Sequence, residues 1–347
     1  MANITILGAG GWGLAIAVLL NNNGHHVTVW SAVQREVDML REKRENEVSL
    51  KGIQISEDIE ITDDLNAALQ DRDIIVLAVA SSYIRSTAQR LKGLTKPGQI
   101  IVNVAKGIED ETYMTMTDII ESEIPDADVA VLSGPSHAEE VGRGLPTTCV
   151  AGAKTKETAQ FIQNIFSSPV FRVYVSPDIL GIELGGSLKN VIALAAGIAD
   201  GLGYGDNTKA ALITRGITEI SRLGIKMGAN SLTLYGLSGI GDLIVTCASM
   251  HSRNRRAGIL MGQGYSMEDA MKEVNMVVEG VFSAKAAVGL AKKYEVNMPI
   301  IETVNRILFE GMSAKEAVNE LMLRDKTIEH PESVSYTHLT LPTNREV

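Results

Sequence analysis

The chain has 347 residues, 45% hydrophobic and 21% charged, with a formal net charge of −10. That length suits two domains rather than one small core, and the acidic balance argues against nucleic-acid binding, which needs a basic footprint. Cys149 and Cys247 fit no metal or redox spacing, so the sequence predicts no metal site and a reducing compartment with both thiols in the core.

No basic n-region opens the chain, and the apolar run Leu14–Leu20 is too short to cross a bilayer. A cytoplasmic protein that is not membrane-embedded is the expectation. Asn3–Leu7 reads as a strand and Trp12–Asn22 as an apolar helix, joined by Gly8-Ala9-Gly10-Gly11-Trp12-Gly13. This is G-x-G-x-x-G at a strand-to-helix junction. Gly8 serves the tight turn, Gly10 lets a pyrophosphate approach the backbone, and Gly13 lets the helix sit close to the strand. The free amides and the roughly half positive charge at the helix start would hold the diphosphate of a dinucleotide.

His26–Trp30 is the second strand. A carboxylate near its end would bond the ribose hydroxyls of NAD. Instead Trp30, Ser31, Ala32 and Val33 follow, with Arg35 beyond. With no acid there to repel a 2′-phosphate, NADP is allowed as well as NAD. Arg35 reads equally as a phosphate contact or as a surface arginine.

Further strands are predicted at Ile59–Thr62, Asp73–Ala80, Gln99–Val104, Ala127–Ser133, Thr147–Gly152 and Val170–Val175, with helical patterns between most of them. Such alternation gives a mainly parallel sheet covered on both faces, with its ligand site beyond the carboxyl ends of the strands. Those ends carry Ala80-Ser81-Ser82, Lys106-Gly107 and Gly134-Pro135-Ser136-His137-Ala138-Glu139. Lys106 reads either as a charge for cofactor or substrate or as a solvated loop lysine. His137 reads as a base or, with Glu139 and Glu140 beside it, as a plain helix start.

After Ser176-Pro177-Asp178 the strand signals stop, and helices separated by Gly-rich turns continue to about Leu323. The domain boundary is therefore predicted near residue 180. Within Glu183–Asp206, the neighbours of Lys189 at helical spacing are Gly185, Gly186, Ala193, Ala196 and Gly197. An ordinary amphipathic helix surrounds an exposed lysine with polar side chains. Here small residues let other segments approach and leave an ammonium in a shaped space; the alternative is a tightly packed helix whose lysine snorkels to water. Leu237-Ser238-Gly239-Ile240-Gly241-Asp242 then sets an acid after a flexible turn, with Thr246 one helical turn on. Ser252-Arg253-Asn254-Arg255-Arg256 gathers three guanidinium groups, whose forks match phosphate. Ser266 to Asp269 and Ser313 to Glu316 resemble capping boxes.

Several runs together resemble the bacterial NAD(P)-dependent glycerol-3-phosphate dehydrogenases: Gly8–Gly13, Val104–Glu109, Ser133–Val141, Gly185–Gly201, Gly205–Gly216, Leu237–Cys247, Ser252–Asn254 and Val277–Val281. The resemblance implies a Rossmann-type doubly wound domain over residues 1–180 and an all-α domain over 181–330 like that of 6-phosphogluconate dehydrogenase. The reaction it implies is reversible reduction of dihydroxyacetone phosphate to sn-glycerol 3-phosphate with NAD(P)H, supplying phospholipid synthesis, in a homodimer. On residue roles it implies that Lys189 is the proton donor and acceptor and that Asp242 orients it, with Thr246 close by. Lys106, Gly134 and Ser136 would line the substrate and nicotinamide, and Asn190 would contact the substrate. Ser252, Arg253 and Asn254 would hold the substrate phosphate, and Arg253 would also reach the cofactor. Gly11, Trp12, Ala138, Val277 and Glu279 are similar to cofactor-contacting positions.

This chain departs from the family in having Gly11 where serine is common, and Ala32 and Val33 where a basic residue is common. The rival readings are a β-hydroxyacid or ketopantoate-type dehydrogenase of similar build, and a non-catalytic dinucleotide-binding redox sensor. The second leaves Lys189 and Asp242 without a purpose. Residues 331–347 lack helical period over Val334–Val347 and lie beyond the resemblance, so they are expected to be a disordered or non-native tail.

Overall fold

Short β-branched runs in the first half become strands, and the central ones are buried on both faces of one sheet. In the computed structural model, which describes residues 1–326 and 329, these are β1 (Asn3–Leu7), β2 (His26–Trp30), β3 (Glu60–Thr62), β4 (Ile74–Leu77), β5 (Ile100–Asn103), β6 (Asp128–Ser133), β7 (Thr147–Ala153) and β8 (Phe171–Ser176). The tail expected at 331–347 lies outside the described residues. The order is β3-β2-β1-β4-β5-β6-β7-β8, parallel except where β6 meets β7.

The first six strands follow the doubly wound order, which reverses direction between β1 and β4 and opens a crevice at their carboxyl ends. Register aligns those ends, with Leu7 opposite both Trp30 and Leu77. β4 stops three residues short of the predicted Ala80. Ala78 N still donates to Leu7 O at 2.9 Å, but β1 turns away at Gly8 (φ +123°) and leaves no ladder beyond. Alternate residues feed two cores: Ile4, Ile6, Ile74 and Val76 pack on the Gly11–Asn22 helix side, and Leu7, Ile75, Leu77 and Ile101 on the side of helices Ile84–Leu91 and Met116–Glu123.

Beyond β8 the described chain is helical. Asp178 starts the Ile179–Gly201 helix by accepting from Gly181 N at 2.9 Å, and every residue from Gly181 to Ala199 is buried. Helices Asp206–Met227, Asp242–Ala248, Arg253–Gly262 and Glu279–Lys293 surround it. The closest approach is to Arg253–Gly262. A Cβ on Gly197 or Gly201 would collide with the Arg255 or Ile259 carbonyl, and one on Gly258 or Gly262 with those of Leu194 or Ile198. Glycines four apart on each helix thus let the two backbones touch. The Ser313 capping box closes in both directions, whereas the Ser266 hydroxyl accepts from Asp269 N and itself donates to the Asp269 carboxylate.

Candidate active site

The turn after β1 has the shape the glycines implied. A Cβ on Gly8 would lie 2.7 Å from the Ala78 carbonyl oxygen, and one on Gly13 would collide with the Gly8 carbonyl. Gly10 faces nothing within 4 Å. That open cradle sits at the start of the Gly11–Asn22 helix, and the neighbouring Trp12 Nε1 is buried without a partner among the described residues. These features fit a dinucleotide diphosphate held by helix-start amides. Gly11 is needed for another reason: Asn46 Nδ2 donates to Ala9 O at 3.1 Å, and this tie brings the Ser49 carbonyl where a Gly11 Cβ would stand.

At the end of β2 the chain supplies an acid that linear spacing did not show. Ser31 Oγ donates to Glu36 Oε2 at 2.6 Å, so a carboxylate from the first turn of the Gln34–Lys43 helix folds back to the strand end. Arg35 is exposed and enters no ion pair among the described residues.

A second group lies where the ends of β5 and β6 face the helical half. Asp242 is 2% exposed, and its carboxylate meets two ammonium groups, Lys106 Nζ at 2.6 Å and Lys189 Nζ at 2.9 Å. Lys106 Nζ also donates to Gly134 O at 3.0 Å and Ser136 Oγ at 3.3 Å. Lys189 Nζ donates to Thr246 Oγ1 at 2.6 Å, and Thr246 Oγ1 donates to Asp242 O at 2.6 Å. Both loop and helix lysine are thus drawn to one carboxylate. The solvated-loop reading of Lys106 and the snorkelling reading of Lys189 do not describe their positions.

The turn before Asp242 has a regular, closely packed form. Leu237–Gly241 is a π-helical turn, and a Cβ on Gly185 would lie 2.7 Å from its Ser238 carbonyl oxygen. Wedged against the Lys189 helix, this turn fixes where Asp242 begins its own helix.

Electrostatics follow from burial. Desolvation pulls the Lys189 pKa down to about 8, against the opposing pull of Asp242. Burial would raise the Asp242 carboxyl, but Lys106 and Lys189 outweigh it and the net direction is down. His137 sits at the start of the Ala138–Gly142 helix without capping it. Burial and then the two lysines lower its pKa, which keeps the ring neutral.

Beside Lys189, Asn190 Oδ1 accepts from Asn254 Nδ2 at 2.9 Å, and Asn254 Oδ1 accepts from Gly280 N at 2.9 Å. Ser252 caps the Arg253–Gly262 helix, its Oγ accepting from Arg255 N at 3.2 Å. Arg253, at the first position of that helix, is part-buried with no hydrogen-bond or ion-pair partner among the described residues. Burial lowers its pKa, with Glu279 and Glu139 pulling the other way.

A family model described as the NAD-dependent glycerol-3-phosphate dehydrogenase N-terminus matches residues 3–159, and its C-terminal counterpart matches residues 178–319. The chain belongs to this family. It is 64% identical over 330 residues to glycerol-3-phosphate dehydrogenase (NAD(P)+) of Agathobacter rectalis, covering 95% of this chain and 98% of that one. The corresponding enzyme of Fusobacterium nucleatum is 62% identical over 331 residues, covering 95% and 99%. The crystal structure of glycerol-3-phosphate dehydrogenase from Coxiella burnetii superposes with a TM-score of 0.90 at 36% identity, covering 93% of this chain and 99% of that one.

Of the residues named from the family resemblance, Lys106, Gly134, Ser136, Lys189, Asp242 and Thr246 are brought into one hydrogen-bonded group. Beside it, Asn190 and Asn254 bond each other, with Ser252 and Arg253 at the start of the helix that carries Asn254. Arg255, read with the phosphate cluster, is turned away: its guanidinium pairs with Asp200 at 2.8 Å. Glu279, named as a cofactor contact, spends both oxygens on Ser81, accepting from its N at 3.0 Å and from its hydroxyl. It therefore fastens the loop after β4 to the helical half, with Val277 two residues before it. Ala138 lies over the first helix, its Cβ 3.7 Å from where a Gly11 Cβ would be. Sequence alone places Ser81 at a polar strand end without showing its partner Glu279, and gives Asn103, Glu183 and Glu36 no role. These residues act through partners distant in sequence or through a folded-back side chain, which no local pattern marks.

Proposed function

We propose that the protein catalyses the reversible NAD(P)H-dependent reduction of dihydroxyacetone phosphate to sn-glycerol 3-phosphate. The observation that carries this reading is the buried Asp242 carboxylate clamped between Lys106 and Lys189 at the sheet's carboxyl edge. When bound, the nicotinamide supplies the hydride for the ketone carbon. Gly8, Gly10, Gly11, Trp12 and Gly13 would hold the cofactor, along with Ala138, Val277 and Glu279.

Lys189 supplies the proton. Its ammonium stabilises the oxygen on which charge develops and delivers a proton to it; in the reverse direction the neutral amine accepts one. A pKa of about 8 suits both roles near neutral pH. Asp242 keeps the ammonium charged despite burial, and Thr246 fixes its direction. Lys106, with Gly134 and Ser136, gives a second positive wall for the substrate. Arg253 grips the phosphate, with Ser252 and Asn254 setting the helix start that presents it and Asn190 beside the ketone. Anchoring the far end this way turns a loose encounter into a near-attack geometry.

The same reading places the reaction in the cytoplasm, feeding phospholipid synthesis, in a homodimer. The two free, buried cysteines suit a reducing compartment, and exposed Ile225, Leu232 and Tyr235 offer an apolar surface to a second copy. The test follows NAD(P)H absorbance with dihydroxyacetone phosphate, each cofactor in turn, against a panel of unphosphorylated ketones. Turnover of the phosphorylated ketone alone is expected. Preference for an unphosphorylated 2-keto acid would replace this assignment with the ketopantoate-type one, and no turnover at all would favour a sensor.

A further inference from the structure

Glu183 lies six residues before Lys189 on the same helix, is 5% exposed, and touches neither lysine. Its Oε1 accepts from Asn103 Nδ2 at 3.1 Å and Thr117 N at 3.0 Å, and its Oε2 accepts from the Thr117 hydroxyl. Asn103 ends β5 and carries the connection forward. Its Oδ1 accepts from Ala105 N at 3.0 Å, while its Nδ2 also donates to Ala105 O at 3.1 Å. The next residue is Lys106. On its other side, Ser187 Oγ donates to Gly107 O at 3.0 Å.

The Lys189 helix therefore holds the Lys106 turn at both flanks, through Glu183 and Asn103 before the lysine and through Ser187 after it. An apolar side chain would fill the same space but would leave Asn103 Nδ2 one bond poorer and Thr117 N buried without a partner. A buried carboxyl is an expensive group for packing alone, and burial raises this one to about 7. Its use is explained if the geometry of the turn matters.

We propose that Glu183 is a positioning residue: through Asn103 it sets the Lys106 turn, so that the loop and helix lysines reach Asp242 together. Glu183 itself touches no reacting atom. This proposal rests on the dehydrogenase reading above. Wild-type turnover of dihydroxyacetone phosphate tests that reading separately, and hydrogen exchange tests the positioning without any turnover.

The experiment is a cycle of Glu183→Ala, Lys106→Ala and the double variant, with Glu183→Gln as rescue. Gln keeps an oxygen acceptor and lets its amide donate to the Thr117 hydroxyl. Glu183→Ala is expected to lower kcat/KM about 10-fold or more, and Glu183→Gln to stay within about 3-fold of wild type, while in the Lys106→Ala background Glu183→Ala adds less than about 2-fold. Exchange of the amides of residues 104–108 is expected to quicken in Glu183→Ala while β1 and β4 stay protected. Effects that multiply in the cycle, or a turn whose exchange is unchanged, would overturn the proposal. If Glu183→Ala does not fold, Asn103→Ala enters the same cycle with the same expected coupling to Lys106.

Discussion

Two cationic groups line adjoining walls of the cleft and are built on opposite plans. Lys106 and Lys189 are matched by Asp242 inside the protein, each with further bonds that fix its direction. Arg253, next in sequence to Asn254, whose side chain bonds Asn190 beside Lys189, is part-buried with no such match among the described residues. On the proposed function the pair bound internally suits chemistry, because its orientation does not wait for a ligand. On that proposal the guanidinium with no internal partner suits binding, because an arriving anion has no protein partner to displace. The proposal thus separates the two roles by what each group already touches.

Removing the shared carboxylate should break the contrast most severely. Asp242→Ala leaves two ammonium groups without their partner and is expected to cost about 3–5 kcal/mol in urea unfolding, together with nearly all turnover. A variant of native stability would mean that the lysines are not held as described. Next in size, Lys189→Ala should lose at least about 10² in kcat while cofactor titration still shows binding; near-normal turnover would remove it from the mechanism. Arg253→Ala should move the other quantity, weakening substrate binding by roughly 1.5–3 kcal/mol through KM with little change in melting temperature. An unchanged KM counts against a phosphate grip.

The paired lysine should also set a pH dependence that the arginine does not. Burial lowers the Lys189 pKa to about 8, so ketone reduction, which needs the ammonium, should fall as pH rises through about 8, and alcohol oxidation, which needs the amine, should rise. The same slope in both directions would exclude that proton. Smallest of all, both NADH and NADPH should support reduction, and Glu36→Gln should favour NADPH by under about fivefold, the scale of one exposed charge contact. Strict use of NADH by both proteins would contradict the absence of a selecting acid in the loop itself.

Much of this was legible in the sequence, and the limit has a physical form. Strand positions were readable because each strand carries its own apolar run, and the glycine turn because its residues act locally. Lys189 stood out because its neighbours along the helix are small, a property of one segment. Local residues leave Lys106 open between a charge for the ligand and a solvated loop lysine, since its partner Asp242 lies 136 residues on. Arg255 looked like part of a phosphate cluster because nothing local shows that Asp200 neutralises it. The glycines of the turn before Asp242 suggest freedom, whereas the turn is π-helical, a Cβ on Gly239 would collide with the Leu234 carbonyl, and Gly185 of the Lys189 helix lets the two segments touch.

The glycine-to-glycine seam between the Ile179–Gly201 and Arg253–Gly262 helices gives the cleft a ruler. One helix carries the ammonium and the other the guanidinium, and with bare backbones touching there is no slack by which the two can move closer. A methyl group at Gly197 or Gly258 would pry them apart and lengthen the scale. Selection among phosphorylated ketones by the number of carbons between carbonyl and phosphate would then reside in positions that no substrate atom ever meets.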